Sequence, residues 1–236
     1  MLARTLNRVP KADEGARDLR ERDDTPLAVC LLPEMAGKVF LLSPANASGT
    51  RAKQLMSPRA QFPTAQRFRA GEVMIAEAFA FMSALYFRGK IAYALHFGGV
   101  ENSYIIAPGF GLVPPTWTLD EARMKKMSQT DVDVKNRTYV KTLRDTANKL
   151  AGNIDDDAEV VLLGSVASGK YVDILLPIFG DRLRFPHAFA GLGDMSRGGL
   201  MLRAVRANRE LEYVTLDNPR HRGPGGSGKM PLHLIS

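Results

Sequence analysis

Short apolar runs alternate with longer amphipathic ones along this chain. Lys38–Leu42, Ser103–Ala107 and Glu159–Leu163 read as strands. The continuous apolar stretches 39–42 and 160–163 are those expected of strands covered on both faces. Leu27–Leu32 reads as an earlier strand, joined to 38–42 through a turn at 33–37, and Leu211–Leu216 as the last one. Val73–Phe97 is apolar on all sides, which predicts a long buried helix. Its aromatic residues Phe79, Phe81, Tyr86, Phe87, Tyr93 and Phe97 are assigned to the core, and Gly89 to a close contact or a kink. Further helices are expected at 118–127, with Thr118 as N-cap ahead of Glu121, and at 136–151, 171–179 and 195–208. The alternation predicts an α/β fold: a single domain over residues 27–218, with a mixed, largely parallel sheet flanked by helices.

Composition narrows the classes. The 236 residues are 45% hydrophobic and 24% charged, as in a globular chain. A single cysteine, Cys30, closes no internal disulfide, and with only four histidines it excludes a Cys-rich zinc module. The longest uncharged stretch of the long helix, Ala78–Phe87, falls short of the ~20 residues that span a bilayer. The expectation is a cytoplasmic protein with no membrane association. No residue pattern calls for a cofactor or a metal. His96 reads as a core histidine, and Asp155–Asp157 as a solvated turn.

The net charge of +7 is uneven. Residues 1–26 balance six basic against six acidic side chains and read as a flexible charged leader. Residues 219–236, rich in Gly and Pro, carry three basic side chains and no acid, and read as a flexible basic tail. The stretch 43–71 holds Arg51, Lys53, Arg59, Arg67 and Arg69 with no acid, the pattern of either a solvated basic face or a phosphate-facing surface.

Ligands of open α/β sheets bind beyond the carboxyl ends of the strands. Three such ends carry small or polar residues. After 39–42 come Ser43, Asn46, Arg51 and Lys53; after 103–107 come Pro108, Gly109 and Gly111; after 159–163 come Gly164, Ser165, Lys170 and Tyr171. Gly164–Lys170 fits G-x-x-x-x-G-K, but Tyr171 replaces the hydroxyl residue that would hold a metal ion, and no acidic strand end follows. A phosphate cradle without triphosphatase chemistry fits better. A fourth segment, 191–199, offers Asp194 and Ser196 as helix N-caps, or Asp194 as an acid or base beside Arg197 as an anion ligand. Ser43 and Ser165 have no histidine partner in the sequence, so no hydrolase triad is read.

Leu41-Leu42-Ser43-Pro44-Ala45, the 103–107 strand with Gly111–Pro114, the 160–163 strand with Gly164 and Tyr171, and the Gly-rich 191–199 segment together resemble the YaaA-like peroxide-stress proteins and a related bacterial group. The resemblance spans about residues 38–216. It implies an α/β fold, a cytoplasmic location and DNA binding linked to damage or oxidative stress. It brings no catalytic residues.

These readings converge on a phosphate-bearing ligand, with nucleic acid first. Arg51, Lys53, Arg59, Arg67 and Lys170 would face phosphate, and Ser43, Asn46 and Ser165 would supply hydrogen bonds. Two other classes stay open. One is an enzyme acting on a nucleoside or nucleotide, such as N-glycosidic cleavage, with Asp194 as acid or base and Asn46 and Tyr171 orienting the ligand. The other is a non-catalytic interaction protein.

Overall fold

The computed structural model describes residues 37–167 and 169–215. The strand expected at 27–32 with Cys30, the leader and the tail lie outside the described residues. In chain order the elements are β1 (Lys38–Leu42), α1 (Thr50–Met56), α2 (Pro63–Arg69), α3 (Ile75–Gly98), β2 (Ser103–Ala107), β3 (Gly111–Val113), α4 (Glu121–Ser128), α5 (Arg137–Ala151), β4 (Glu159–Leu163), α6 (Val172–Phe179), β5 (Leu183–Pro186), α7 (Asp194–Arg206) and β6 (Tyr213–Thr215).

Six strands form one sheet in the order β3-β2-β1-β4-β5-β6. The inner four are parallel, and β3 and β6 close the two edges antiparallel. The fold is therefore α/β with a mixed, mostly parallel sheet. Side chains of a strand point alternately to its two faces, and both faces of β1 and β4 are apolar. Phe40, Leu42, Val161 and Leu163 pack with α3 and α7; Val39, Leu41, Val160 and Leu162 pack with α5 and α6. That two-sided burial explains why these strands are continuous apolar runs.

Several boundaries differ from those expected, each for a local reason. The helix expected from Thr118 begins at Glu121, because Asp120 is its N-cap and its carboxylate accepts from the Arg123 N–H at 2.8 Å. Thr118 instead pairs with Met74 in a short β-bridge, which delays the start of α3 to Ile75. Neither Asp194 nor Ser196 caps α7: Gly193 is the N-cap, and Asp194 is the first helical residue. β3 and β5 were not expected, and among the described residues the last strand covers only 213–215. His96 is exposed, not a core residue, and hydrogen-bonds Asn208 at 2.8 Å.

The kink in α3 falls at Ala84, with φ 49° and ψ −124°, and not at Gly89. The Phe81 carbonyl lies three residues before the break. The Arg51 guanidinium donates to it at 2.9 Å. Gly89 serves a close contact instead. A Cβ on Gly89 would lie 2.6 Å from the Gly198 carbonyl oxygen, and one on Gly198 would lie 2.7 Å from that of Leu85. The backbones of α3 and α7 thus touch at this pair. Gly198→Ala must force backbone against backbone, so a loss of about 2 kcal/mol is expected, within the range for overpacking. Urea unfolding followed by circular dichroism checks this; an unchanged midpoint would refute the contact.

Candidate functional site

The chain leaves β1 toward α1–α3 on one face of the sheet and leaves β4 toward α6 on the other. Neighbouring parallel strands whose exits diverge open a crevice at their carboxyl ends. Here the two ends nearly touch: the Ser43 N–H donates to the Leu163 carbonyl at 3.3 Å, and a Cβ on Gly164 would lie 2.9 Å from that of Ser43. Above them opens a cavity of about 1000 Å³.

One wall is the loop after β1, Ser43–Ser48. The Asn46 carboxamide oxygen shapes it, accepting from the Ser48 N–H at 3.0 Å and its hydroxyl at 2.9 Å. The opposite wall is the loop after β4, with Ser165, Lys170 and Tyr171. It is held from behind by the Tyr139 hydroxyl, which donates to the Lys170 carbonyl at 3.0 Å. Asp194 at the start of α7 closes a third side, and Pro108 after β2 touches the rim. A fourth wall, not expected from sequence, runs from Met127 to Asn136 and brings Asp131, Asp133 and Lys135. Asn136 caps α5, its side-chain oxygen accepting from the Thr138 and Tyr139 N–H groups. From α3 come Ser83 and Tyr86, on either side of the kink.

The floor is a buried polar cluster. Tyr86 is not merely a core residue. It is 7% exposed, lines the cavity, and its hydroxyl lies near Ser43 and Arg197 without a hydrogen bond to any of the described residues. Burial raises its pKa, opposed by the nearby Arg197 guanidinium. Tyr171, 8% exposed, faces Ser43, Tyr86 and Asp194, and burial raises its pKa as well. Lys90 lies one helical turn beyond Tyr86 and is fully buried. Its ammonium nitrogen donates to the Ser43 carbonyl at 2.7 Å and lies 2.9 Å from the Ser43 hydroxyl oxygen. It also stands 4.2 Å from the centre of the Tyr86 ring. Arg197 donates from Nε to the Phe189 carbonyl at 3.2 Å and lies 3.8 Å from the Asp194 carboxylate.

The structure therefore brings Ser43, Asn46, Ser165, Lys170, Tyr171 and Asp194 to one cavity, with Arg197 against Asp194 and Gly164 packed beneath Ser43. Arg51, Lys53, Arg59 and Arg67 do not line it. Arg51 donates to the Phe81 carbonyl of α3, and Arg67 pairs with Glu77 at 2.7 Å and donates to the Glu72 carbonyl. Lys53 and Arg59 are exposed. Among the described residues there is no group of three or more side chains suited to hold a metal ion, and no helix long and apolar enough to cross a membrane. Comparison with known protein families, with curated proteins and with solved structures finds no match in any of the three.

Burial pulls the Lys90 pKa from its ordinary 10.5 down to about 7; Asp194 opposes that shift and Arg197 adds to it. From pH 7 to 10.5 the unfolded chain holds a proton that the folded chain lacks, so stability rises with pH across this window. Below pH 7 the penalty for burying the charge applies in full. The melting temperature of the protein should climb from pH 7 to pH 9.5 more steeply than that of Lys90→Met, measured by differential scanning fluorimetry. Parallel curves would show that Lys90 is not neutralised by the fold.

Proposed function

We propose that the protein binds a nucleotide-sized, phosphate-bearing small molecule in the cavity between the ends of β1 and β4. The observation that carries this reading is the convergence of two uncapped helix N-termini on one polar cavity. Tyr171 precedes α6 and Asp194 opens α7, both line the cavity, and neither helix start has a side-chain cap. At the start of α6 the Asp173 N–H is taken by the Gly169 carbonyl, so the pull on an anion comes from the dipoles of both helices and the first N–H groups of α7. The volume suits a small ligand. Lys170 and Lys135 supply cationic groups beside the start of α6 and that of α5 for phosphate, while Asp194 and Asn46 offer polar groups for ribose hydroxyls or a base. With Arg51 and Arg67 engaged at the surface by the Phe81 carbonyl and by Glu77, a compact ligand is favoured over an extended polyanion.

Titration calorimetry tests this. Nucleoside mono- and diphosphates should bind at least ten times more tightly than the parent nucleosides, and Lys170→Ala should weaken them by about tenfold, the loss of one charge-assisted hydrogen bond. Absence of binding by every nucleotide at low salt would overturn the proposal.

A second reading, cleavage of an N-glycosidic bond, is favoured by one observation. Asp194 is the cavity carboxylate whose charge acts on Tyr86, Lys90 and Tyr171 together. As general acid or base it would make Asp194→Asn bind nucleotide but release no base, which chromatography of the reaction products would read.

A further inference from the structure

The buried floor of the cavity has a geometry that the ligand reading leaves unused. The Ser43 hydroxyl oxygen lies 2.9 Å from the Lys90 ammonium nitrogen, and both sit at the carboxyl end of β1 where strand exits diverge. Ser43 is 5% exposed yet lines the cavity, whereas Lys90 is sealed behind it. Lys90 therefore meets the cavity lining at the Ser43 hydroxyl and at the Tyr86 ring. The Lys90 nitrogen also donates to the Ser43 carbonyl at 2.7 Å, and the Ser43 hydroxyl donates to the Leu163 carbonyl at 3.3 Å, a longer contact than the one it makes with Lys90. The Tyr86 and Tyr171 hydroxyls also lie close to Ser43.

We propose that Ser43 is a nucleophile activated by Lys90 as general base, and that the cavity carries out acyl transfer from a small carboxylic ester. A serine hydroxyl is a weak nucleophile until a base within hydrogen-bond reach removes its proton, and a desolvated lysine can be that base. The Ser43 oxygen bonds to the ester carbonyl carbon as its proton passes to neutral Lys90. The carbonyl oxygen becomes an oxyanion, and Tyr86 and Tyr171 donate hydrogen bonds to it. Its collapse breaks the bond to the leaving alcohol, which takes the proton back from Lys90. Water then attacks the acyl-serine and gives its proton to Lys90, and Ser43 departs with that proton, leaving a carboxylic acid.

Three features of the surroundings agree with these roles. The Tyr86 hydroxyl makes no hydrogen bond among the described residues and has a proton to donate. Burial keeps both tyrosines protonated, and therefore able to donate, well above neutral pH. Burial also brings Lys90 down to about 7, where the neutral base is available. The groups facing Lys90 are Ser43 at the end of β1, Tyr86 and Phe87 on its own helix, and Asp194 and Arg197 from α7, whose opposite charges partly cancel at the amine.

The test is labelling of the full chain with a small fluorophosphonate, which loses fluoride to a serine nucleophile, followed by peptide mass spectrometry. The adduct is expected on Ser43, with a labelling rate that rises through about pH 7 and falls at least 100-fold in Lys90→Met. An unlabelled Ser43 in the wild-type protein at pH 8 would overturn the proposal, as would a Lys90→Met protein that labels at the wild-type rate. Should Lys90→Met fail to fold, the wild-type pH profile decides: a rise through about 7 supports the dyad, and a flat profile refutes it. This inference shares with the proposed function only the requirement that the cavity admit a ligand. Labelling without nucleotide binding would leave the dyad standing and remove the nucleotide, and nucleotide binding without labelling would do the reverse.

Discussion

The contact between Gly89 and Gly198 determines how the groups of α7 stand against the buried floor of the candidate site on α3. Helices packed through ordinary side chains keep their axes 8–10 Å apart. Here neither helix has a side chain at the crossing, and each backbone approaches the other so closely that a single methyl group would collide with a carbonyl oxygen. Glycine inside a helix costs about 0.5–1 kcal/mol relative to alanine, and this fold carries that cost on both partners. In return, the first turn of α7 lies alongside Tyr86 and Lys90 of α3. Asp194 and Arg197, four residues and one residue before Gly198, are thereby brought to groups more than a hundred residues away in the chain.

A second consequence concerns charge. A fully buried lysine is costly unless it is paired or neutralised. Lys90 has no carboxylate within salt-bridge distance among the described residues; its close polar contacts are the carbonyl and hydroxyl of Ser43. Those are partners that a neutral amine satisfies as well as a charged one, since the amine donates to the carbonyl and exchanges a hydrogen bond with the hydroxyl. The arrangement therefore tolerates loss of the proton without losing its contacts. It also ties the end of β1 to the middle of the long helix, so the strand end that opens the cavity is held from beneath.

Much of this was legible along the chain, and the parts that were not have identifiable causes. Val39–Leu42 and Val160–Leu163 are buried on both faces, and continuous apolar runs announce that directly. β5 escaped because Arg184 and Pro186 interrupt its apolar pattern, and β3 because three residues that begin on Gly111 and run into Pro114 carry no period. The strand-end rule gathered Ser43, Asn46, Ser165, Lys170, Tyr171 and Asp194, which share one cavity. Tyr86 and Lys90 were hidden by their setting. In a helix apolar all round, a tyrosine reads as core and a lysine as an interruption, and only the packing of α3 on β1 shows that both meet Ser43. Their spacing of one helical turn was the available signal. The acid-free stretch misled in a different way. Arg51 donates to the Phe81 carbonyl, three residues before a break at Ala84 that no proline or glycine in the sequence marks, so its engagement became visible only with the backbone.

The cavity has two electrostatic zones, and their separation bears on what it can do. Near the mouth, Asp131, Asp133, Lys135 and Lys170 stand among water-accessible loops, where charges of both signs are screened and favour recognition over chemistry. At the floor, Ser43, Tyr86, Lys90 and Tyr171 are withdrawn from water, where each hydrogen bond and each proton position counts for more. Asp194 stands between the zones, exposed itself yet acting on the buried groups. A ligand seated with its charged end at the mouth would present its uncharged part to the floor. Binding energy from the exposed end could then hold a reacting bond against groups that water does not reach, the division of labour through which remote contacts support chemistry elsewhere on a substrate.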